Sequence, residues 1–222
     1  MAEPQTIAIV GGAGKLGRGI ALRLSGAGFP VVLGSRNVDR AVAAAGEIAD
    51  LLGSDARISG APNREAAQAA HIVIVAVPFA SHAETLTELR EVVQGKILVD
   101  ATVPLVPPKV TRVQLPPTGS AAKSAQKMLG DRVRVVSAFQ NVAADSLAGG
   151  GALDCDVLVA GDDPAAREEI IRLASAIGLR AWHAGPIDNA AAAEALTSVL
   201  IFLNRHYKVD GAGIRITGVP HR

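Results

Sequence analysis

Short, unbroken apolar runs recur along the chain, and each is followed by a stretch in which apolar positions return at helical spacing. The runs predict strands at Thr6–Val10, Val31–Gly34, Lys96–Ala101 and Val133–Val136, the strongest at His71–Val77, and a short segment around Arg57–Ser59. The intervening stretches predict helices over Lys15–Ala27, Val38–Leu52, Arg64–Ala70, from beyond Pro78 to about Val93, and over Ser120–Leu129. Past Gly149-Gly-Gly151 come a strand at Asp156–Gly161, a helix from Pro164 to about Ile177 and a strand at Leu179–His183. A long apolar helix from about Ala190 to Leu203 and a short extended tail at Gly211–Gly218 complete the chain. Strands that are apolar throughout, rather than alternating, imply a parallel sheet covered on both faces. The expected fold is therefore α/β, a Rossmann-like doubly wound parallel sheet with a small C-terminal α/β lobe. The triple glycine divides residues 1–148 from a lobe of residues 149–222. Residues 104–118, with Leu105-Val-Pro-Pro and Gln114-Leu-Pro-Pro, cannot form a regular helix, because proline lacks the donor and clashes in an interior turn.

The first strand runs directly into Gly12-x-Gly14-x-x-Gly17, which opens the first helix. That is the dinucleotide fingerprint in its required context. One glycine makes the tight turn, one lets the backbone approach a pyrophosphate, and one lets the helix lie close on the strand. The helix N-terminus offers free N–H donors and partial positive charge to phosphate. A purely structural glycine turn is the alternative. The second strand ends in Ser35-Arg36-Asn37, where an NAD enzyme carries the carboxylate that reads the ribose. Ser35, Arg36 and Arg40 instead suit a 2′-phosphate, because guanidinium offers a planar fork of donors. NADP(H) is the expected cofactor; the competing reading is a solvated surface arginine pair.

Composition narrows the classes. The 222-residue chain is 49% hydrophobic with 3% aromatics and a formal net charge of +1. It lacks the stacking aromatics and basic surface of a nucleic-acid reader, and no field favours an anionic membrane. No apolar run approaches a membrane span, and Met1–Pro4 lacks the regions of a signal peptide, so a cytoplasmic protein is expected. Cys155 is the single cysteine, which excludes an internal disulfide.

Other candidate chemistry reads more simply as structure. Asp163 before Pro164 reads as a helix N-cap rather than half of a metal pair, and Asp188-Asn189 reads the same way. His71, His82, His183, His206 and His221 form no metal-ligand spacing. His82 follows the strand bordering the cleft and is a candidate ligand contact. Val77-Pro-Phe79 and Thr102-Val-Pro104 follow strand ends and are expected as cleft walls. Gln140 and Asn141 could project uncharged donors toward a substrate; spacing alone does not decide. No nucleophile–base set is recognisable, so the chemistry expected is hydride transfer by the cofactor.

On these residues the chain resembles the NADPH:coenzyme F-420 oxidoreductases, or F-420-dependent NADP reductases. The resemblance spans Ile9–Gly17, Gly34-Ser-Arg36, Val75–Phe79, Val135–Val142, Asp154–Asp163, Ala184–Ile187, Glu194–Thr197 and Gly213–Ile216. It implies an enzyme that transfers hydride directly between NADP(H) and the deazaflavin coenzyme F-420, with no catalytic side chain. It implies Gly12, Ala13, Gly14, Lys15 and Leu16 at the pyrophosphate, and Ser35, Arg36 and Arg40 at the 2′-phosphate. Val77, Ser81, Val103, Ala144 and Ala212 would line the nicotinamide end, and Gln140, Asn141 and Val142 the deazaflavin side. The chain departs from common family residues at Ala13 (often Thr), Lys15 (often Asn) and Gln140 (often His). The C-terminal lobe would close the cleft, and the apolar helix Ala190–Leu203 with the alanine-rich tail leaves more apolar surface than a small lobe can bury, so a homodimer built through that lobe is expected. The alternatives are an NADPH-dependent reductase of a small imine or keto substrate, and a non-enzymatic NADP-sensing module.

Overall fold

The strand Ile7–Val10 (β1), buried along its whole length, lies between Val31–Ser35 (β2) and Ile72–Val75 (β4). It sits inside a single eight-stranded sheet of a computed structural model that describes residues 5–149 and 151–219. Ile58–Pro62 (β3), Ile97–Asp100 (β5), Arg134–Ser137 (β6), Asp156–Gly161 (β7) and Arg180–Gly185 (β8) complete the order β3-β2-β1-β4-β5-β6-β7-β8. The first six strands are parallel. This doubly wound order reverses direction between β1 and β4, where such folds bind their ligands.

Both faces are covered. Ile7 and Ile9 point into one layer with Ile20, Leu24 and Leu33, while Ala8 and Val10 point into the other with Leu86, Leu89 and Leu98. Successive side chains on a strand alternate in direction, so a strand buried on both sides must be apolar at every position. The first layer is supplied by Lys15–Gly26 (α1), Val38–Leu52 (α2) and Pro164–Ala176 (α7). The second is supplied by Asn63–Ala69 (α3), Phe79–Leu89 (α4) and Ala121–Leu129 (α5).

β7 runs antiparallel to β6, pairing Ser137 with Ala160, so the C-terminal strands extend the main sheet. Two features differ from the sequence reading. A short helix, Ala144–Ala148 (α6), follows β6 and packs on α1. A β-carbon on Gly19 would lie 2.7 Å from Leu147 Cβ, so this glycine is what allows the two helices to touch. Asn189 occupies the N-cap position of the last helix, Ala190–Tyr207 (α8), but no side chain there accepts from the helix N–H groups. Ile187–Asn189 forms a 3-10 turn, with Asp188 paired to Lys123 and the Asn189 amide donating to the Ala184 carbonyl at 2.6 Å. Asp163 does cap α7, accepting from Ala166 N–H at 2.9 Å, with Pro164 in the first turn.

Gly150, inside the expected break, lies outside the described residues, as do Met1–Pro4 and His221. The tail runs beside β7, where Asp156 N–H donates to the Ile214 carbonyl at 2.8 Å. Among the described residues no helix is long and apolar enough to cross a membrane.

Candidate cofactor and substrate site

The carboxyl ends of β1, β2 and β4 open onto a cleft of about 460 Å3. Ala13, Gly14, Ser35, Arg36, Arg40, Val77 and Ser81, all expected at the cofactor, line it. Gly12 is buried beneath the turn, its N–H within 3.1 Å of the Ile9 carbonyl and 3.0 Å of the Gly34 carbonyl. A β-carbon on Gly17 would fall 2.7 Å from Gly12 Cα, so close packing of α1 on the turn requires glycine there.

This cleft fits a dinucleotide phosphate group. The α1 N-terminus has no side-chain cap and no acidic residue in its first turn, which leaves its donors available to an anion. Across the cleft, no hydrogen bond or ion pair within the described residues engages the side chain of Arg36 or Arg40. Two guanidinium groups therefore stand exposed, with Ser35 beside them. Asn63, which opens α3 on the same cleft, is buried and its Oδ1 has no partner among the described residues. Sequence reading missed Asn63; a polar residue directly after the third strand, at the rim of a parallel sheet, is the signal that could have found it.

The remaining expected residues lie outside this lining. Lys15 is exposed, 3.8 Å from the equally exposed Asp145 of α6, and Leu16 packs against the core. Val103 is half-buried beyond the end of β5, and Ala144 opens α6. Ala212 N–H donates to Asn204 Oδ1 at 2.9 Å.

Gln140, Asn141 and Val142 follow β6 and are buried. Phe139, also buried, has a φ of 73°, a left-handed conformation that costs a bulky residue energy and turns the chain sharply after the strand. Gln140 then points inward, donating its amide to the Asp100 carbonyl at 2.7 Å and to Ser137 Oγ at 2.9 Å. Its Oε1 and both polar atoms of Asn141 have no partner among the described residues. Buried polar atoms are seldom left unpaired, and none of these three residues, Gln140, Asn141 or Val142, lines the cofactor cleft.

Beside them lies a buried charged cluster. His82 does not line the cleft; its Nε2 lies 2.7 Å from Asp100 Oδ2, with His82 3% and Asp100 0% exposed. Burial works to lower the His82 pKa, but the hydrogen bond and charge of Asp100, with Glu194, outweigh it and raise it above 6.5. Glu194, on α8, accepts from the N–H groups of Ala121 and Ala122. Burial pushes its pKa up to about 7 despite those two donors, and the Asp100 charge adds to the rise. Burial also raises the Cys155 thiol, with Asp156 adding to the effect. Such a thiol is less easily ionised than a free one.

The family model described as "NADP oxidoreductase coenzyme F-420-dependent" matches residues 6–104. An F-420-dependent NADP reductase of Methanothermobacter marburgensis is 40% identical, over 96% of this chain and 99% of its own. That of Methanocaldococcus jannaschii is also 40% identical, over 96% of this chain and 98% of its own. A crystal structure from an Arthrobacter species, proposed as an F-420-dependent NADP-reductase, shares 29% identity and superposes with a TM-score of 0.81 over 96% of this chain and 99% of that one. Two relatives at 40% identity and end-to-end coverage place this chain in the F-420-dependent NADP reductase family.

Proposed function

We propose that the protein binds NADP(H) along the cleft at the ends of β1, β2 and β4 and exchanges hydride between it and coenzyme F-420. The pair of free guanidinium groups at Arg36 and Arg40, beside Ser35, carries the cofactor assignment. They are suited to a doubly charged phosphate, and no carboxylate stands among the cleft-lining residues to repel it. The α1 donors and the Gly14 backbone would hold the pyrophosphate, and Val77 and Ser81 lie toward the nicotinamide end. When bound, the nicotinamide supplies the hydride chemistry. The chain's own task is to hold two rings at reactive distance and exclude water, which is catalysis by proximity and orientation.

The unpaired polar atoms of Gln140 and Asn141 would meet the deazaflavin edge, with Val142 as an apolar neighbour. Gln140 supplies an acceptor but no charge. Residues 149–222 serve in this reading as the wall that closes the cleft. In support, Thr197 Oγ1 donates to the Gln140 carbonyl at 2.9 Å and Ser198 Oγ lies 3.3 Å from the Arg112 carbonyl, both from α8. The same helix exposes Val199 and Phe202, a surface suited to a second copy of the chain.

Mixing the enzyme with NADPH and oxidised F-420 at mildly acidic pH tests the assignment. Loss of the oxidised deazaflavin absorbance is expected. Intact NADPH binding with no absorbance change would favour the small-molecule reductase reading.

A further inference from the structure

We propose that Asp100 and His82 are a positioning pair for hydride transfer, holding the two walls of the nicotinamide site and the Gln140 loop in one register. The inference rests on the reading above and concerns residues that touch neither ring.

Asp100 closes β5 and is fully buried between the ends of β4 and β6, paired with Val75 on one side and Ser137 on the other. Each of its acceptors is used by a different segment. Oδ1 accepts from Thr102 N–H at 3.0 Å, which fixes the turn leading into Val103. Oδ2 meets His82 Nε2 at 2.7 Å, which fixes the first turns of α4, where Ser81 precedes His82 and faces the cleft. Its carbonyl accepts the Gln140 amide at 2.7 Å. One residue thus ties together Ser81, Val103 and Gln140, three positions on three different segments. Phe79, in the first turn of α4, stacks beside the His82 ring at 6.2 Å between centroids.

A buried acid and a histidine are a costly way to join a helix to a strand if stability is the only return, because apolar packing there is often at least as stable. What the pair adds is direction: a hydrogen-bonded carboxylate allows one arrangement of its neighbours, and small misplacements of reacting groups cost much rate. The cluster's contacts are hydrogen bonds and charge. Glu194 is the third charged member, turned instead toward the α5 N-terminus.

The test exploits one methylene. In His82→Gln the side-chain amide can reach the Nε2 position and still donate to Asp100; in His82→Asn it falls short. Asp100→Asn keeps an acceptor for Thr102 and a polar partner for His82. NADPH affinity by fluorescence titration, thermal midpoint and the single-turnover rate of F-420 reduction are measured for each. His82→Asn should slow hydride transfer tenfold or more while NADPH affinity stays within threefold, and His82→Gln and Asp100→Asn should retain at least a third of the wild-type rate. The proposal is overturned if His82→Asn transfers hydride at the wild-type rate. It is equally overturned if both His82 variants are slowed alike, or if rate and affinity fall together with the melting temperature. Wild type that binds NADPH but leaves F-420 oxidised would refute the parent reading instead.

Discussion

The Glu194 carboxylate of α8 lies 2.6 Å from the N–H of Ala121, the first residue of α5, across a sequence separation of 73 residues. With the second bond to Ala122 and the Ser120 side chain accepting from Lys123, three of the orphan donors of α5 are satisfied, two of them from another helix. Because Glu194 is buried, its protonation makes stability depend on pH. A carboxyl whose folded pKa is raised holds its proton longer in the folded state. Its contribution is complete below its ordinary value of 4.5 and is lost as pH climbs through about 7. The raised pKa of His82 has the same sign, its contribution being present below 6.5 and lost above its folded value. Melting temperature should therefore fall between pH 5 and pH 8, with Glu194 accounting for about 3 kcal/mol. Glu194→Gln removes this titration and should flatten the profile. A variant profile parallel to wild type would show that Glu194 is not the group responsible.

Asp156 acts in the other direction and at lower pH. Burial raises its pKa, but bonds from Ile216 N–H, Arg180 and Trp182 outweigh that and hold it below 3.8. Its stabilisation is present above 3.8 and is lost as pH falls through the folded value. Asp156→Asn should loosen the C-terminal tail from β7, seen as faster hydrogen exchange at Ile216, with little change in NADPH affinity.

Arg36→Ala should weaken NADPH by one to two decades, since losing a charge-assisted hydrogen bond to phosphate costs about 1.5–3 kcal/mol. NADH, which lacks the 2′-phosphate, should be nearly unaffected. Titration calorimetry with both cofactors checks this. Equal binding of NADPH and NADH by the wild type would contradict the assignment of Ser35, Arg36 and Arg40.

Gly19→Val places side-chain atoms where Leu147 Cβ and the Ala144 carbonyl already lie, at 2.7 and 3.2 Å from the first added carbon. Overpacking of this kind costs about 1–3 kcal/mol. Urea unfolding should register the loss, and Arg23, which donates to the Leu147 carbonyl at 2.8 Å, should lose its hold on α6.

Most of the sheet was legible because strands buried on both faces must be apolar throughout, and the glycine fingerprint needs its own local context. The antiparallel turn of β7 was not, since Asp156–Gly161 presents the same apolar run whichever way it points. Helix α6 has only five residues, too few to show a helical period. Arg36 and Arg40, proposed to read the 2′-phosphate, were visible because they occupy a known place after β2. Asp100 and His82 were not paired, because 18 residues separate them and only folding brings Nε2 to Oδ2. An ionisable residue ending the otherwise apolar Ile97-Leu-Val-Asp100 was the available sign.

Phe202 and Val199 remain exposed on α8, and an apolar stripe of this kind invites self-association. Light scattering at micromolar concentration should give the mass of a homodimer, and Phe202→Glu should give a monomer. A monomeric wild type would contradict the assembly proposed for this helix.

Direct hydride transfer is the central claim, and isotopic labelling addresses it without reliance on any variant. NADPH deuterated on one face of the nicotinamide C4, mixed with oxidised F-420 and enzyme, should give reduced deazaflavin carrying that deuterium. The opposite stereoisomer should give unlabelled product, because direct transfer requires one nicotinamide face to meet the deazaflavin while the other lies against protein. Unreduced F-420, loss of the label to solvent, or equal labelling from both stereoisomers would contradict the account.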